Sequence, residues 1–163
     1  MENKIKLAFV SSVWRRPGIF EMFAKGINNI IKNCNQFEIY VIISGSEGKA
    51  SRRMVENHGY TYIEIPNKPL GYKLNSTTHA CKSIGIDYVI CLGSDDVMSI
   101  ELLEEYEKYM RKGIDFIGVK DCYFYDEVSK RSIYWGGYRE SYRRKATVGA
   151  FRALSSRLLA LGS

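Results

Sequence analysis

The stretch Leu92 to Ser99, LGSDDVMS, closes an apolar run with two adjacent acids, Asp95 and Asp96. Neither carboxylate can stay buried and ionised without a partner. At roughly 5 Å apart they repel by about 3 kcal/mol at an effective dielectric of about 20, a cost that water or a cation relieves. Mg2+ and Mn2+ favour carboxylate and water oxygens, and Mg2+ commonly takes only one or two protein carboxylates, leaving positions for substrate phosphates. A solvated turn that caps the following helix is the other reading of the dipeptide.

The remaining residue types argue against several other chemistries. Cys34, Cys81, Cys91 and Cys122 form no CxxC pair and have no histidine at ligand spacing, which speaks against zinc and for reduced core thiols in a cytoplasmic protein. His58 and His79 are the only imidazoles, and neither is expected to be catalytic. The N-terminal apolar run is too short for a signal peptide, and no run approaches the roughly 20 residues that cross a bilayer. A soluble chain, with at most peripheral membrane contact, is expected. The net charge of +6 over 163 residues, with a pI near 9.1, suits an anionic partner: a phosphate-bearing ligand, a membrane surface or nucleic acid.

The elements that would position the acids alternate along the chain. Ile5 to Val10 is a short apolar run, and Pro17 opens a segment with Ile19, Phe23, Ile27, Ile30 and Ile31 at helical spacing. Phe37 to Ile43 is β-branched and aromatic, Gly45 breaks it, and Lys49 to Asn57 is helix-compatible. Tyr60 to Ile65 stops at Pro66, after which Leu70, Leu74, Thr77, Cys81 and Ile84 keep a helical period. Ile86 to Leu92 is apolar on nearly both faces, as in a parallel sheet covered by helices on both sides. Ser99 is placed to cap a helix carrying Ile100, Leu103, Tyr106 and Met110 on one face. Asp115 to Val119 reads as a fifth strand, and the aromatic stretch beyond it, with a polar centre at Glu127 to Lys130, as a hairpin. The spacing predicts an α/β fold, an open and mostly parallel sheet with helices on both faces. Ligands of such sheets bind beyond the carboxyl ends of the strands, here the turns Ser11 to Arg16, Ser44 to Gly48, Pro66 to Lys73 and Gly93 to Met98.

The segment PNKPLGYKLNSTTHACKSIGIDYVICLGSDD resembles the middle of family 2-like glycosyltransferases, nucleotide-diphospho-sugar transferases with the Rossmann-like GT-A fold. The matching features are Asn67, Leu70-Gly71, Leu74-Asn75, Asp87-Tyr88-Val89 and Ser94-Asp95-Asp96, in the family's order. VSSVWRRPGIFEMF is similar to the family's first strand, polar turn and helix. VGAFRALSSRLL, Val148 to Leu159, is similar to a segment in which a small-residue turn leads to a Ser-Arg helix behind the acceptor site. The resemblance implies that Asp95 and Asp96 form a DxD-type site for Mn2+ or Mg2+, with Asp96 the main metal ligand and Asp95 facing the donor ribose or metal waters. Ser11, Val13 and Arg16 would lie at the nucleotide-binding end of the first strand. Gly71, Lys73 and Asn75 would approach the donor from the helix before the fourth strand, although Lys73 also reads as a solvated helix residue.

Departures from the family pattern matter as well. Gly93 stands where many relatives carry a further acid, and Ser44-Gly45-Ser46-Glu47 replaces an acidic turn that reads the base. The family's catalytic base would follow the Ser-Arg helix region or lie close to it, where this sequence reaches Ser163; either the chain is a truncated or naturally short form or it uses another group, for which Asp121 is only a guess. Trp135, Tyr138 and Arg139 are candidates for an acceptor surface, since sugars stack on aromatic faces and arginines pair with phosphates. One domain over residues 1–163 is expected, with 1–120 binding a nucleotide-diphosphate sugar and 121–163 on the acceptor side. The expected activity is sugar transfer to a hydroxyl acceptor: a glycan, a lipid-linked sugar or, with less support, modified DNA. The alternatives are a sugar-nucleotide nucleotidyltransferase, disfavoured by the lack of a glycine-rich phosphate loop, and a catalytically degenerate binding module.

Overall fold

The structure is a computed structural model that describes residues 3–67 and 69–161; the first two residues, Lys68 and the last two residues lie outside the described residues. In chain order the elements are β1 (Ile5–Ser12), α1 (Pro17–Asn33), β2 (Phe37–Gly45), α2 (Lys49–Glu56), β3 (Thr61–Glu64), α3 (Leu70–Lys82) and β4 (Tyr88–Cys91). There follow α4 (Ile100–Arg111), β5 (Phe116–Ile117), β6 (Cys122–Asp126), β7 (Arg131–Trp135), β8 (Arg152–Ser155) and α5 (Ser156–Leu161). Six strands form one sheet in the order β3-β2-β1-β4-β8-β5, and β6 and β7 pair separately as a hairpin.

β1 is the centre of this sheet. It pairs in parallel with β2 along its whole length, from Ile5 opposite Phe37 to Ser12 opposite Ser44, and with β4 on its other side. Both of its faces are covered. Leu7 and Phe9 point into a large core with Phe20, Phe23, Ile27 and Ile30 of α1 and Leu103, Tyr106 and Met110 of α4. Ala8 and Val10 point the other way, to a smaller core with Ile42, Val89 and Cys81 of α3. This is why the sequence shows continuous apolar runs here rather than alternation. Helices α1 and α3 lie on opposite faces because the chain moves outward from β1 to β2 and β3, then returns across the sheet to β4, and right-handed crossovers in opposite directions use opposite faces. The reversal leaves a crevice beyond the carboxyl ends of β1 and β4.

Sequence and structure part at the far side of the sheet. The stretch Asp115 to Val119 pairs only through Phe116 and Ile117, and it does not lie beside β4. Between them runs β8, antiparallel to both neighbours, with Ala153 opposite Ile90 and Ile117. Arg152–Ser155 belongs to the segment read as a turn leading into a helix, and the helix α5 begins only at Ser156. A strand of four residues with one apolar and one hydroxyl side chain buried carries too little periodicity to be read locally. It is held from outside itself: Phe151 N–H donates to Cys91 O at 3.0 Å, Ser156 N–H to Asp87 O at 2.8 Å, and the Tyr106 hydroxyl to Phe151 O at 2.8 Å.

Ser155 Oγ and the Arg157 guanidinium both donate to Asp115 Oδ1, at 2.5 Å and 2.9 Å, tying β8 to the start of β5. These bonds hold the Asp115 carboxyl below its ordinary value of 3.8, the Ser155 hydroxyl first and Arg157 next. A depressed carboxyl stabilises the fold above its ordinary pKa, and that contribution is lost as pH falls through the folded value. Asp115→Asn is therefore expected to melt at a lower temperature than the native chain at pH 7. The two melting curves are expected to converge below about pH 4 in a pH series of thermal unfolding.

Candidate functional site

The cleft at the switch between β1 and β4 is built from strand ends. β1 finishes in Ser11 and Ser12, and the parallel pairing continues past it, with Val13 N–H donating to Ser44 O at 2.8 Å. Ser11 and Val13 are buried, and the Ser11 hydroxyl has no hydrogen-bond partner among the described residues. Ser12 and Ser44 share a hydroxyl contact of 2.6 Å. The turn then rises over the sheet edge. Arg15 sits at φ 50°, in the left-handed region, and Glu47 holds it there by accepting from the Arg15 N–H at 2.9 Å and pairing with its side chain at 3.7 Å. Glu47 also accepts from Ser51 at 3.2 Å, so the one acid of the turn after β2 is engaged.

A cleft of about 450 Å3 opens under this turn, lined by Ser12, Val13, Trp14, Arg15, Arg16, Asn67, Leu70 and Lys73. Lys73 is not the solvated helix residue of the alternative reading. It is buried in the first turn of α3, and its Nζ donates to Ser46 Oγ at 3.1 Å. Gly71 and Asn75, two positions to either side, lie on the opposite side of the helix, are exposed and do not line the cleft. Gly45 places Ser46: a Cβ there would come within 2.7 Å of the Tyr62 ring and 2.8 Å of Ser51, so the end of β2 packs against both only as glycine.

Arg16 joins the cleft to the acids. Its Nη1 donates to Asp95 Oδ2 at 3.1 Å and its Nη2 to Ser94 Oγ at 3.3 Å, an ion pair between half-exposed groups. Asp96 is more buried, and its Oδ2 accepts from the Gly93 N–H at 2.6 Å. Burial pushes the Asp96 carboxyl above the usual aspartate range, the Gly93 bond opposes the shift and the charge of Asp95 adds to it. A Cβ at Gly93 would lie 2.8 Å from Asp95 Oδ1 and 2.9 Å from Asp96 Oδ2, so both carboxylates fold back over the glycine. Among the described residues no group of three or more His, Cys, Asp and Glu side chains could hold a metal ion. Two convergent carboxylates with an open side fit Mg2+ or Mn2+ completed by phosphate and water oxygens.

The hairpin leaves the sheet on this same edge. Cys122 of β6 pairs with Trp135 of β7 at its base. The Cys122 thiol is raised by burial and then by the charges of Asp96 and Asp121. Trp135 and Tyr138 meet edge to face at 4.9 Å, Arg143 stacks on the Tyr138 ring at 3.6 Å, and Arg139 is exposed next to them. Asp121 accepts from the Tyr134 hydroxyl at 2.8 Å. His58 bonds Glu21 at 3.0 Å and stacks against Tyr60, away from the cleft. Trp14 and Ser46 fall in two of the turns that the sequence marks as ligand-binding, but neither is singled out there: Trp14 is an exposed tryptophan lining the cleft, and the contact of Ser46 with Lys73 comes only from the fold.

No family model matches the chain, and no curated protein is similar to it in sequence. Solved structures are similar in fold. A mannosyltransferase from Pyrobaculum calidifontis, in complex with GDP-Man and Mn2+, superposes with a TM-score of 0.67 at 15% identity over 98% of this chain and 47% of its own. TarS of S. aureus, residues 1–349, gives 0.65 at 14% identity over 97% and 49%. CMP:2-keto-3-deoxy-manno-octonic acid synthetase in complex with CTP gives 0.59 at 14% identity over 95% and 76%. The chain thus spans about half the length of the first two proteins. Its fold is that of GT-A-like nucleotide-diphospho-sugar transferases, an open and mostly parallel sheet with helices on both faces.

Proposed function

We propose that the chain is the nucleotide-sugar-binding part of a glycosyltransferase that moves a sugar from a nucleotide-diphosphate donor to a hydroxyl acceptor. The observation that carries this reading is the continuity between cleft and acids: Arg16 lines the 450 Å3 cleft and also reaches Asp95 and Ser94. A nucleoside seated against Val13 and Leu70 would bring its diphosphate to Arg16 and the two carboxylates. Asp96 is the principal metal ligand, since its buried carboxylate is aimed by the Gly93 N–H, and Asp95 faces the ribose or metal-bound water. A divalent cation bound there would bridge the diphosphate and offset the charge that develops on the leaving group. The ligands of the P. calidifontis protein, GDP-Man and Mn2+, support the assignment.

The aromatic base of the hairpin, Trp135 with Tyr138, is the acceptor side, where a sugar face would stack and Arg139 would meet an acidic group. A glycan or lipid-linked sugar suits this surface. No helix among the described residues is long and apolar enough to cross a membrane. A second reading, a sugar-nucleotide nucleotidyltransferase, is supported by the CTP-bound synthetase, of whose length 76% is covered. The turn VWRRPG lacks the glycines that would cradle a triphosphate, which favours the first reading.

Calorimetric titration of UDP and GDP with and without Mn2+ tests the donor site. Mn2+ is expected to tighten binding about tenfold or more, about 1.4 kcal/mol, in the native chain and to have no effect on Asp96→Ala. Metal-independent binding that is equal in both proteins, or none in either, overturns the reading. Release of free sugar from a nucleotide sugar would mark the glycosyltransferase, and pyrophosphate release from a nucleoside triphosphate and a sugar phosphate the nucleotidyltransferase. Gly93→Ala is expected to cost about 1–2 kcal/mol of stability in denaturant unfolding, because the new methyl meets both carboxylates. The same variant is expected to lose most of the Mn2+ effect in the titration, since Asp96 can no longer fold over residue 93.

A further inference from the structure

Lys73 is 4% exposed, yet among the described residues its Nζ has one hydrogen-bond partner, Ser46 Oγ at 3.1 Å, and no carboxylate within ion-pair distance. An ammonium carries three donors, so two have no hydrogen-bonded acceptor among the described residues. Removing such a group from water is unfavourable unless something accepts from it. The side chains around it do little to pair with it: Arg15 and Arg16 are cations, Glu47 is already engaged by Arg15 and Ser51, and Ser12 shares its hydroxyl with Ser44, which leaves the Asn67 amide oxygen as the one uncommitted side-chain acceptor among the described lining residues. A ligand in the cleft would supply the acceptors that Lys73 lacks.

We infer that Lys73, backed by Ser46, reads a ring carbonyl of the donor's nucleobase and selects keto bases, uracil, thymine or guanine, over the amino bases adenine and cytosine. The inference rests on the cleft being the donor site and adds the class of nucleotide it takes. Position separates the base from the diphosphate. Lys73 is bonded past the end of β2 and the acids lie past the end of β4, on opposite sides of β1, so the two places are two strand spacings, about 10 Å, apart. A nucleoside fills such a span between its base and its phosphates. Val13 and Leu70 supply apolar faces for the ring, leaving the ammonium to its edge. Uracil and thymine present O4 there and guanine presents O6 with N7, all acceptors. Adenine and cytosine present an amino group at the corresponding place, donor against donor.

The test measures the affinities of UDP, GDP, ADP, CDP and inorganic pyrophosphate at fixed Mn2+ for the native chain, Lys73→Met and Lys73→Gln, each checked by thermal unfolding. The native chain is expected to prefer UDP or GDP over ADP and CDP by about tenfold or more, the worth of one charge-assisted hydrogen bond. Lys73→Met is expected to level the four nucleotides and leave pyrophosphate unchanged. Lys73→Gln, whose amide accepts as well as donates, is expected to move the preference toward the amino bases. Equal weakening of pyrophosphate and all four nucleotides in Lys73→Met overturns the inference and makes Lys73 a phosphate ligand. Mn2+-dependent binding of the native chain without base preference overturns it while leaving the donor site standing. Binding of none of the four nucleotides overturns both.

Discussion

β1 is hydrogen-bonded on both edges and covered on both faces, and the candidate site opens where that strand ends. Its pairing with β2 continues through Val13 to Ser44, which carries the turn of Trp14, Arg15 and Arg16 over the sheet edge. Its pairing with β4 brings Asp95 and Asp96 up on the other side. Because the chain reverses direction across the sheet at this strand, the turns after β1 and β4 diverge, and the space between them is where a ligand fits. The hydroxyls of Ser11, Ser12 and Ser44 sit at the same junction, where apolar strand gives way to polar turn.

Charge is arranged unevenly around that space. Arg15, Arg16 and Lys73 face the cleft, while Asp95 and Asp96 stand at its edge and Glu47 is turned to the backbone of Arg15. Arg16 links the two sets of charges through Asp95. The arrangement is in itself unfavourable. Asp96 is desolvated beside a second acid, and Lys73 is buried with a single hydroxyl partner among the described residues. Unfavourable groups held in place by a well-packed scaffold are what a binding site requires, since a ligand that relieves them gains affinity from the relief.

The hairpin is built differently. β6 and β7 carry Tyr123, Phe124, Tyr125, Ile133 and Tyr134 exposed, outside the six-stranded sheet, with Cys122 and Trp135 paired at the base. The cleft is thus shaped by the sheet, whereas the hairpin is a separate ribbon whose exposed residues can vary without disturbing the core that positions the acids.

The sequence by itself determined the layered α/β architecture, because strands buried on both faces must be apolar at nearly every position and helices on their surface must repeat every three to four residues. Phe9, Ile90 and Leu103 could be assigned to the core on that ground alone. It also marked Asp95 and Asp96, since two acids after a buried strand are unusual wherever they fall. Tertiary structure decided the rest. β8 is recognisable only from its bonds to Cys91, Asp87 and Asp115, which lie between 40 (Ser155 to Asp115) and 69 (Ser156 to Asp87) residues away in the chain. Lys73 and Asn75 are equivalent on paper, yet a helix turns them to opposite sides, and only packing against the sheet says which one faces the cleft. Ser46, 27 positions before Lys73, acquires a role because the end of β2 meets the start of α3 in space. Local periodicity records which face of an element is buried, and what that face meets is written only in the folded chain.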